Sequence, residues 1–180
     1  MKTALITGAS RGIGEAAAYQ LAKEYDCVAI MSRNTDGKLN TVANQIHATT
    51  NCECIPFTGD VSDFAFVEEC VRSLAASGHP VDTLVNNAGI NIPCLLVDPK
   101  DPHGKYELSE RVYDKVTSVN IKGVYLMAQA LGHEFVRNGA GVIINMSSES
   151  GLEGSEGQSI YAATKNAVNS FTRSWSKELG

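Results

Sequence analysis

No stretch of the 180 residues approaches the roughly 20 consecutive apolar positions that cross a bilayer, and Met1-Lys2 leads straight into a strand-like run with no signal-peptide pattern. The expectation is a cytoplasmic protein without a membrane partner. Basic residues are not in excess: 15 Lys and Arg against 20 Asp and Glu leave a net charge of −5, which argues against nucleic acid. Cysteines number five, an odd count scattered along the chain, which suits a reducing compartment better than a disulfide framework. Cys52 and Cys54 would share one face of a strand, yet no second Cys or His pair stands at matching spacing. His47, His79, His103 and His133 form no ligand pattern either. No metal site is expected, and the histidines read as surface or loop residues. Repeats, linkers and low-complexity segments are also lacking, so residues 1–180 read as one domain with an ordinary core at 43% hydrophobic residues.

What is present is a regular alternation. Apolar strand-like runs fall near residues 2–7, 27–31, 53–57, 81–86 and 141–146. Helical patterns fall near 12–24, 35–48, 63–77, 108–137 (read as broken) and 159–179. Alternating strands and helices predict an α/β, doubly wound parallel sheet with helices on both faces. In such a sheet the ligand belongs beyond the carboxyl ends of the strands, where the strand order reverses.

The first strand runs into Thr7-Gly-Ala-Ser-Arg-Gly-Ile-Gly14 and then an alanine-rich helix. Gly8 permits a sharp turn, while Gly12 and Gly14 let backbone approach a pyrophosphate at the helix's positive end. The absence of Gly-Lys-Ser/Thr after this turn excludes a P-loop. Farther along, Tyr161 and Lys165 stand at i and i+4 of a helical pattern, with Ser148 thirteen positions upstream of the tyrosine. One helix face would carry both, so the ammonium can favour phenolate over phenol and make a tyrosine usable in proton transfer. Alone, such a pair reads as an ordinary surface Tyr and Lys; the glycine turn changes its weight.

On the glycine turn, Ser148, Tyr161 and Lys165 together, the chain resembles the short-chain dehydrogenase/reductase family. Asp60-Val61 resembles the family's adenine contact, Asn86-Asn87-Ala88-Gly89 its NNAG segment, and Asn120 its helix asparagine that anchors a water in a proton relay. The resemblance implies a Rossmann-like fold and hydride transfer between a nicotinamide cofactor and a ketone or secondary alcohol. Asn120, Ser148, Tyr161 and Lys165 are the implied catalytic residues. Gly8, Ser10, Arg11, Gly12, Ile13, Gly14, Arg33, Asp60, Val61, Asn87, Ala88 and Gly89 are the implied cofactor contacts, joined by Tyr161 and Lys165. Where an NAD enzyme offers an acidic residue, this chain has Ser32-Arg33, with Arg11 inside the turn. Two guanidinium groups suit a 2′-phosphate, so NADP is predicted over NAD, and Asp36 keeps NAD open.

The substrate is expected to be a small molecule, and the two halves of the chain point to different ones. Residues 1–90 resemble 3-oxoacyl carrier-protein reductases. Residues 91–180 resemble sorbitol-6-phosphate 2-dehydrogenases, which implies a polyol or ketose phosphate. Glu149, Glu153, Glu156 and Gln158 would accept hydrogen bonds from sugar hydroxyls, leaving Lys100, His103 and Lys105 as candidates for the phosphate. The change of resemblance near residues 89–91 raises a recombined chain as a hypothesis. Relative to the family fold, the last strands are expected to be lacking, which would expose a sheet edge and the Val168, Phe171 and Trp175 face of the final helix. A homo-oligomer is implied by the resemblance. A cofactor-binding module without turnover is the competing expectation.

Overall fold

The structure, a computed structural model, describes residues 1–180. Five parallel strands, β1 (Thr3–Thr7), β2 (Cys27–Ser32), β3 (Glu53–Thr58), β4 (Thr83–Asn86) and β5 (Val142–Asn145), lie in the order β3-β2-β1-β4-β5. Helices α1 (Gly12–Leu21), α2 (Lys38–Thr49), α3 (Phe64–Ala76), α4 (Glu110–Thr117), α5 (Val124–Asn138), α6 (Ser150–Glu153) and α7 (Ser159–Glu178) complete the chain. Every residue of β1, β2 and β4 is buried, as a parallel sheet covered on both faces requires.

The strand pleat divides the core in two. Leu5, Ala29 and Met31 face Val67, Leu74, Met127 and Leu131 of α3 and α5. Their neighbours Ala4, Ile6, Val28 and Ile30 face Ala18, Leu39, Val42 and Ile46 of α1 and α2. Each fully buried Leu or Ile contributes about 1.5–3 kcal/mol. Chain order runs outward from β1 through β2 to β3 and then restarts on the other side with β4 and β5. The crevice between the carboxyl ends of β1 and β4 is therefore the switch point of the sheet.

Three expectations are corrected. The helix expected to break within 108–137 is continuous from Glu110 to Asn138, passing through a π-helical turn at Ser118–Gly123. No proline interrupts it, and one wide turn absorbs the mismatch without a loop. A Cβ on Gly123 would fall 2.6 Å from Val61 Cγ2, so the bare glycine lets this turn pack on the segment after β3. Secondly, Val168 is 1% exposed rather than open to solvent. It follows Thr164 and Lys165 by one turn and shares their inward face; Phe171 and Trp175 are half-buried and stack at 4.8 Å. Thirdly, His79 is buried, not a surface residue. The backbone folds back after α3, with His79 N donating to Leu74 O at 2.9 Å, and this sets Nε2 3.3 Å from Glu53 Oε2. The sheet edge expected to be open is β5, whose Val142 and Ile144 are 51% and 43% exposed.

Candidate active site

The glycine turn is fastened to the end of β4 by side chains far apart in sequence. Thr7 Oγ1 accepts hydrogen bonds from Asn87 N at 3.0 Å and Ala88 N at 2.9 Å. Asn87 Nδ2 donates in return to Thr7 O at 3.0 Å and Gly8 O at 3.2 Å. Gly8 holds φ at +69°, and a Cβ on Gly14 would fall 2.5 Å from both Asn87 Nδ2 and Gly8 O. Arg11 at the N-cap of α1 makes no side-chain cap, so the first N–H groups of the helix have no such partner. They face a cavity of about 420 Å³ lined by Gly8, Ser10, Arg11, Gly12 and Ile13 from the turn and by Asn87, Ala88, Gly89 and Ile90 after β4. An unsatisfied helix start with bare glycine backbone fits the pyrophosphate of a dinucleotide. Gly14 packs beneath the cavity and does not line it.

Ser32, Arg33 and Asn34 after β2, with Gly59, Asp60 and Val61 after β3, form the other end of the cavity. Ser32 Oγ donates to Ser10 Oγ at 3.0 Å, tying β2 to the glycine turn. Arg33 Nη1 lies 3.6 Å from Asp60 Oδ2, a pairing that the sequence did not announce. Burial works to raise the Asp60 carboxyl, but hydrogen bonds from the Ser62 N–H and hydroxyl, with Arg33 beside it, hold it below the usual range. Asp36 is turned to Lys38, accepting from its backbone N–H at 3.2 Å and pairing with its ammonium at 3.2 Å. Thr7, Asn34, Gly59, Ile90 and Val119 also build the site; a position at or beyond the carboxyl end of a strand was the one cue for the first four.

Lys165 is buried on α7, and its Nζ donates to Met146 O at 2.6 Å while lying 5.7 Å from the Tyr161 ring centroid. Asn120, on the π-helical turn, makes three side-chain hydrogen bonds. Its Oδ1 accepts from Ile90 N at 2.8 Å, and its Nδ2 donates to Ile90 O at 2.9 Å and Thr164 Oγ1 at 3.1 Å. Thr164 Oγ1 donates to Tyr161 O at 2.7 Å. The chain from Asn120 through Thr164 thus ends on the backbone carbonyl of Tyr161 and not on its phenol. Ser148, half-buried two residues beyond Met146, shares a hydrogen bond with Ser150 at 3.0 Å. A Cβ on Gly89 would stand 3.6 Å from Lys165 Nζ and 3.5 Å from Asn120 Oδ1, so the cavity wall and the Tyr161–Lys165 pair adjoin.

Burial lowers the Lys165 pKa from its ordinary 10.5. Between the folded value and 10.5 the folded chain holds fewer protons at this site than the unfolded chain, so this group makes stability rise with pH across that window. Lys165→Met should remove that rise. Urea midpoints of both proteins across the alkaline range check this, the buried cysteines being common to both; parallel curves would be the contrary result.

The long segment before α4, which carries Lys100, His103 and Lys105, is held by its own backbone. Leu95 N donates to Tyr106 O and Leu108 N to Leu95 O, each at 2.7 Å, and Cys94 N donates to Gly157 O at 2.8 Å. The Glu107 carboxylate accepts from Asp98 N and His103 N at 3.1 Å and pairs with His103 Nδ1 at 3.2 Å. The two segments beside the site are therefore joined, with Leu96 and Val97 exposed on the first and Leu152 of α6 exposed on the second.

Residues 2–180 match the family model of the short chain dehydrogenases. The chain belongs to that family. It is 44% identical over 176 residues to a sorbitol-6-phosphate 2-dehydrogenase of Klebsiella pneumoniae, covering 98% of this chain and 62% of that protein. It is 35% identical over 178 residues to a 3-oxoacyl-[acyl-carrier-protein] reductase of Staphylococcus epidermidis, covering 99% of this chain and 69% of the relative. Among solved structures, a metagenomic short-chain oxidoreductase in complex with NADP superposes with a TM-score of 0.88 at 30% identity, over 99% of this chain and 76% of that one. The chain thus spans less than two thirds of the first of these curated relatives. The dehydrogenase-family fold accounts for the glycine turn at the switch point and for helices on both faces of the sheet. No helix is long and apolar enough to cross a membrane.

Proposed function

We propose that this chain is an oxidoreductase acting on a ketone or secondary alcohol of a polyol or ketose phosphate, with NADP as its cofactor. The observation that carries the reading is the abutment of Lys165 and Asn120 on Gly89, in the wall of the dinucleotide cavity. A bound nicotinamide dinucleotide supplies or accepts the hydride. Tyr161 gives a proton to the substrate oxygen in reduction and takes it back in oxidation, with the buried Lys165 ammonium lying over its ring. Ser148 holds that oxygen. Asn120 fixes Ile90 and, through Thr164, the turn that carries Tyr161. The 44% identity to a sorbitol-6-phosphate 2-dehydrogenase supports the sugar-phosphate substrate. Exposed Leu96, Val97 and Leu152 favour a second reading, a 3-oxoacyl thioester laid across the joined segments.

Arg33 and Arg11 line the cavity while Asp36 is engaged by Lys38, which supports a 2′-phosphate over a ribose hydroxyl as the group bound there. The NADP complex of the superposing oxidoreductase lends further support. Arg33→Ala should lower kcat/KM for NADPH by about 10–100-fold, the worth of a hydrogen bond between charged groups, and leave NADH nearly unaffected. Equal losses with both cofactors would refute this role. Free, buried cysteines support a reducing, cytoplasmic location, and exposed Tyr113, Tyr125 and Val136 on α4 and α5 support a homo-oligomer.

The test is reduction of fructose 6-phosphate and of an acetoacetyl thioester in parallel, each with NADPH and NADH. Turnover of the sugar phosphate upholds the first reading, and turnover of the thioester alone transfers it to the second. Binding of NADPH with neither turned over would leave a cofactor-binding module.

A further inference from the structure

We infer that Ser150 is a positioning residue for the Ser148 hydroxyl, an inference that rests on the oxidoreductase reading above. The side-chain hydrogen bond given to Ser148 in this structure goes to Ser150 at 3.0 Å, and Ser150 has no other side-chain partner. A serine that holds a substrate oxygen must aim its own O–H outward. It does so when its oxygen accepts a hydrogen bond from behind. With Ser150 donating to Ser148 Oγ, the Ser148 proton is left to point at the substrate oxygen, and each bond in such a chain polarises the next.

The seat of Ser150 is rigid, and it is fixed to the same helical turn that carries Lys165. Lys165 Nζ donates to Met146 O at 2.6 Å, and Ser147 Oγ donates to Lys165 O at 3.1 Å. Gly151 N donates to Ser148 O at 3.0 Å, closing the turn between the two serines. A Cβ on Gly151 would fall 2.9 Å from Lys165 C and from Asn166 N, so α6 lies directly on the α7 backbone at this point. Residues 146–151 are therefore packed against the turn of α7 that carries Lys165. Gly154 N, just past α6, donates to Ser150 O at 2.9 Å and closes the far side of this seat.

Ser150→Ala should lower kcat for the ketone by about 3–10-fold, the worth of one neutral hydrogen bond, with unchanged KM for the dinucleotide and unchanged Tm. Ser150→Thr keeps the hydroxyl and should retain wild-type kcat. In a Ser148→Ala background the same Ser150→Ala change should cost nothing further, because its effect runs through Ser148. Wild-type kcat in Ser150→Ala, a Ser150→Thr protein as slow as Ser150→Ala, or an equal loss with and without Ser148 would each overturn the inference. A wild-type protein that binds NADPH but reduces no ketone would instead overturn the reading beneath it, and the inference with it.

Discussion

Tyr161→Phe should cut kcat for ketone reduction by about 10²–10⁴-fold, the usual contribution of a positioned proton donor, while NADPH affinity stays within about twofold. The ring and the backbone carbonyl account for this residue's packing. Lys165 Nζ lies over the ring and Thr164 Oγ1 donates to the carbonyl, and a phenylalanine keeps both. Folding should therefore be intact, and the loss should appear in kcat alone. Single-turnover rates with saturating NADPH, alongside a fluorescence titration of the dinucleotide, make the measurement. A fully active Phe variant would remove Tyr161 from the proton-transfer step and with it the role of Lys165 beside it.

Gly8→Ala should cost about 2–5 kcal/mol of folding stability, from about 1–2 kcal/mol for left-handed backbone and the rest from overpacking. Two independent facts combine at this residue. Its φ is +69°, and an added Cβ would stand 2.8 Å from Ala88 Cα, a backbone atom that cannot swing aside. Relief would come by parting the turn from the end of β4, which breaks the Asn87 and Thr7 hydrogen bonds and opens the pyrophosphate cradle. Dinucleotide affinity should fall at least about tenfold in consequence. Gly12→Ala supplies the contrast, since Gly12 has φ +62° but nothing within 4 Å of an added Cβ. Its stability loss should be that of strain alone. Equal urea midpoints for the two variants would show that the approach to Ala88 is not what requires glycine at position 8.

Much of this site could be read in one dimension because its requirements are local. A sharp turn needs glycine, a helix places i and i+4 on one face, and a buried parallel strand is a short apolar run. Gly8, Gly12, Tyr161 and Lys165 were found on those grounds, and the cavity contacts Arg11, Asp60 and Ala88 through the resemblance that they support. The misses have a common origin. The π-helical turn at Ser118–Gly123 leaves no periodic signature strong enough to tell a wide turn from a break. His79, read as a surface or loop residue, does lie in the loop after α3 but is buried there by the fold-back, and Val168 looked exposed because its cover comes from elements earlier in the chain. The bonds that hold the loop near Glu107 are mostly backbone bonds, to which the identity of the side chains contributes little.

The sequence by itself determined the α/β alternation, the glycine turn at the end of β1 and the Tyr161–Lys165 pair, since each depends on residues within a few positions of one another. Tertiary structure alone decided partners. It set Asn87 against Thr7 and Gly8, Asn120 against Ile90 and Thr164, Arg33 against Asp60, and Lys165 against Met146. These pairs are separated by 19 to 80 positions along the chain. Which of them meet depends on the order β3-β2-β1-β4-β5, and a hydrogen-bonding side chain carries no mark of which strand end the sheet will bring beside it.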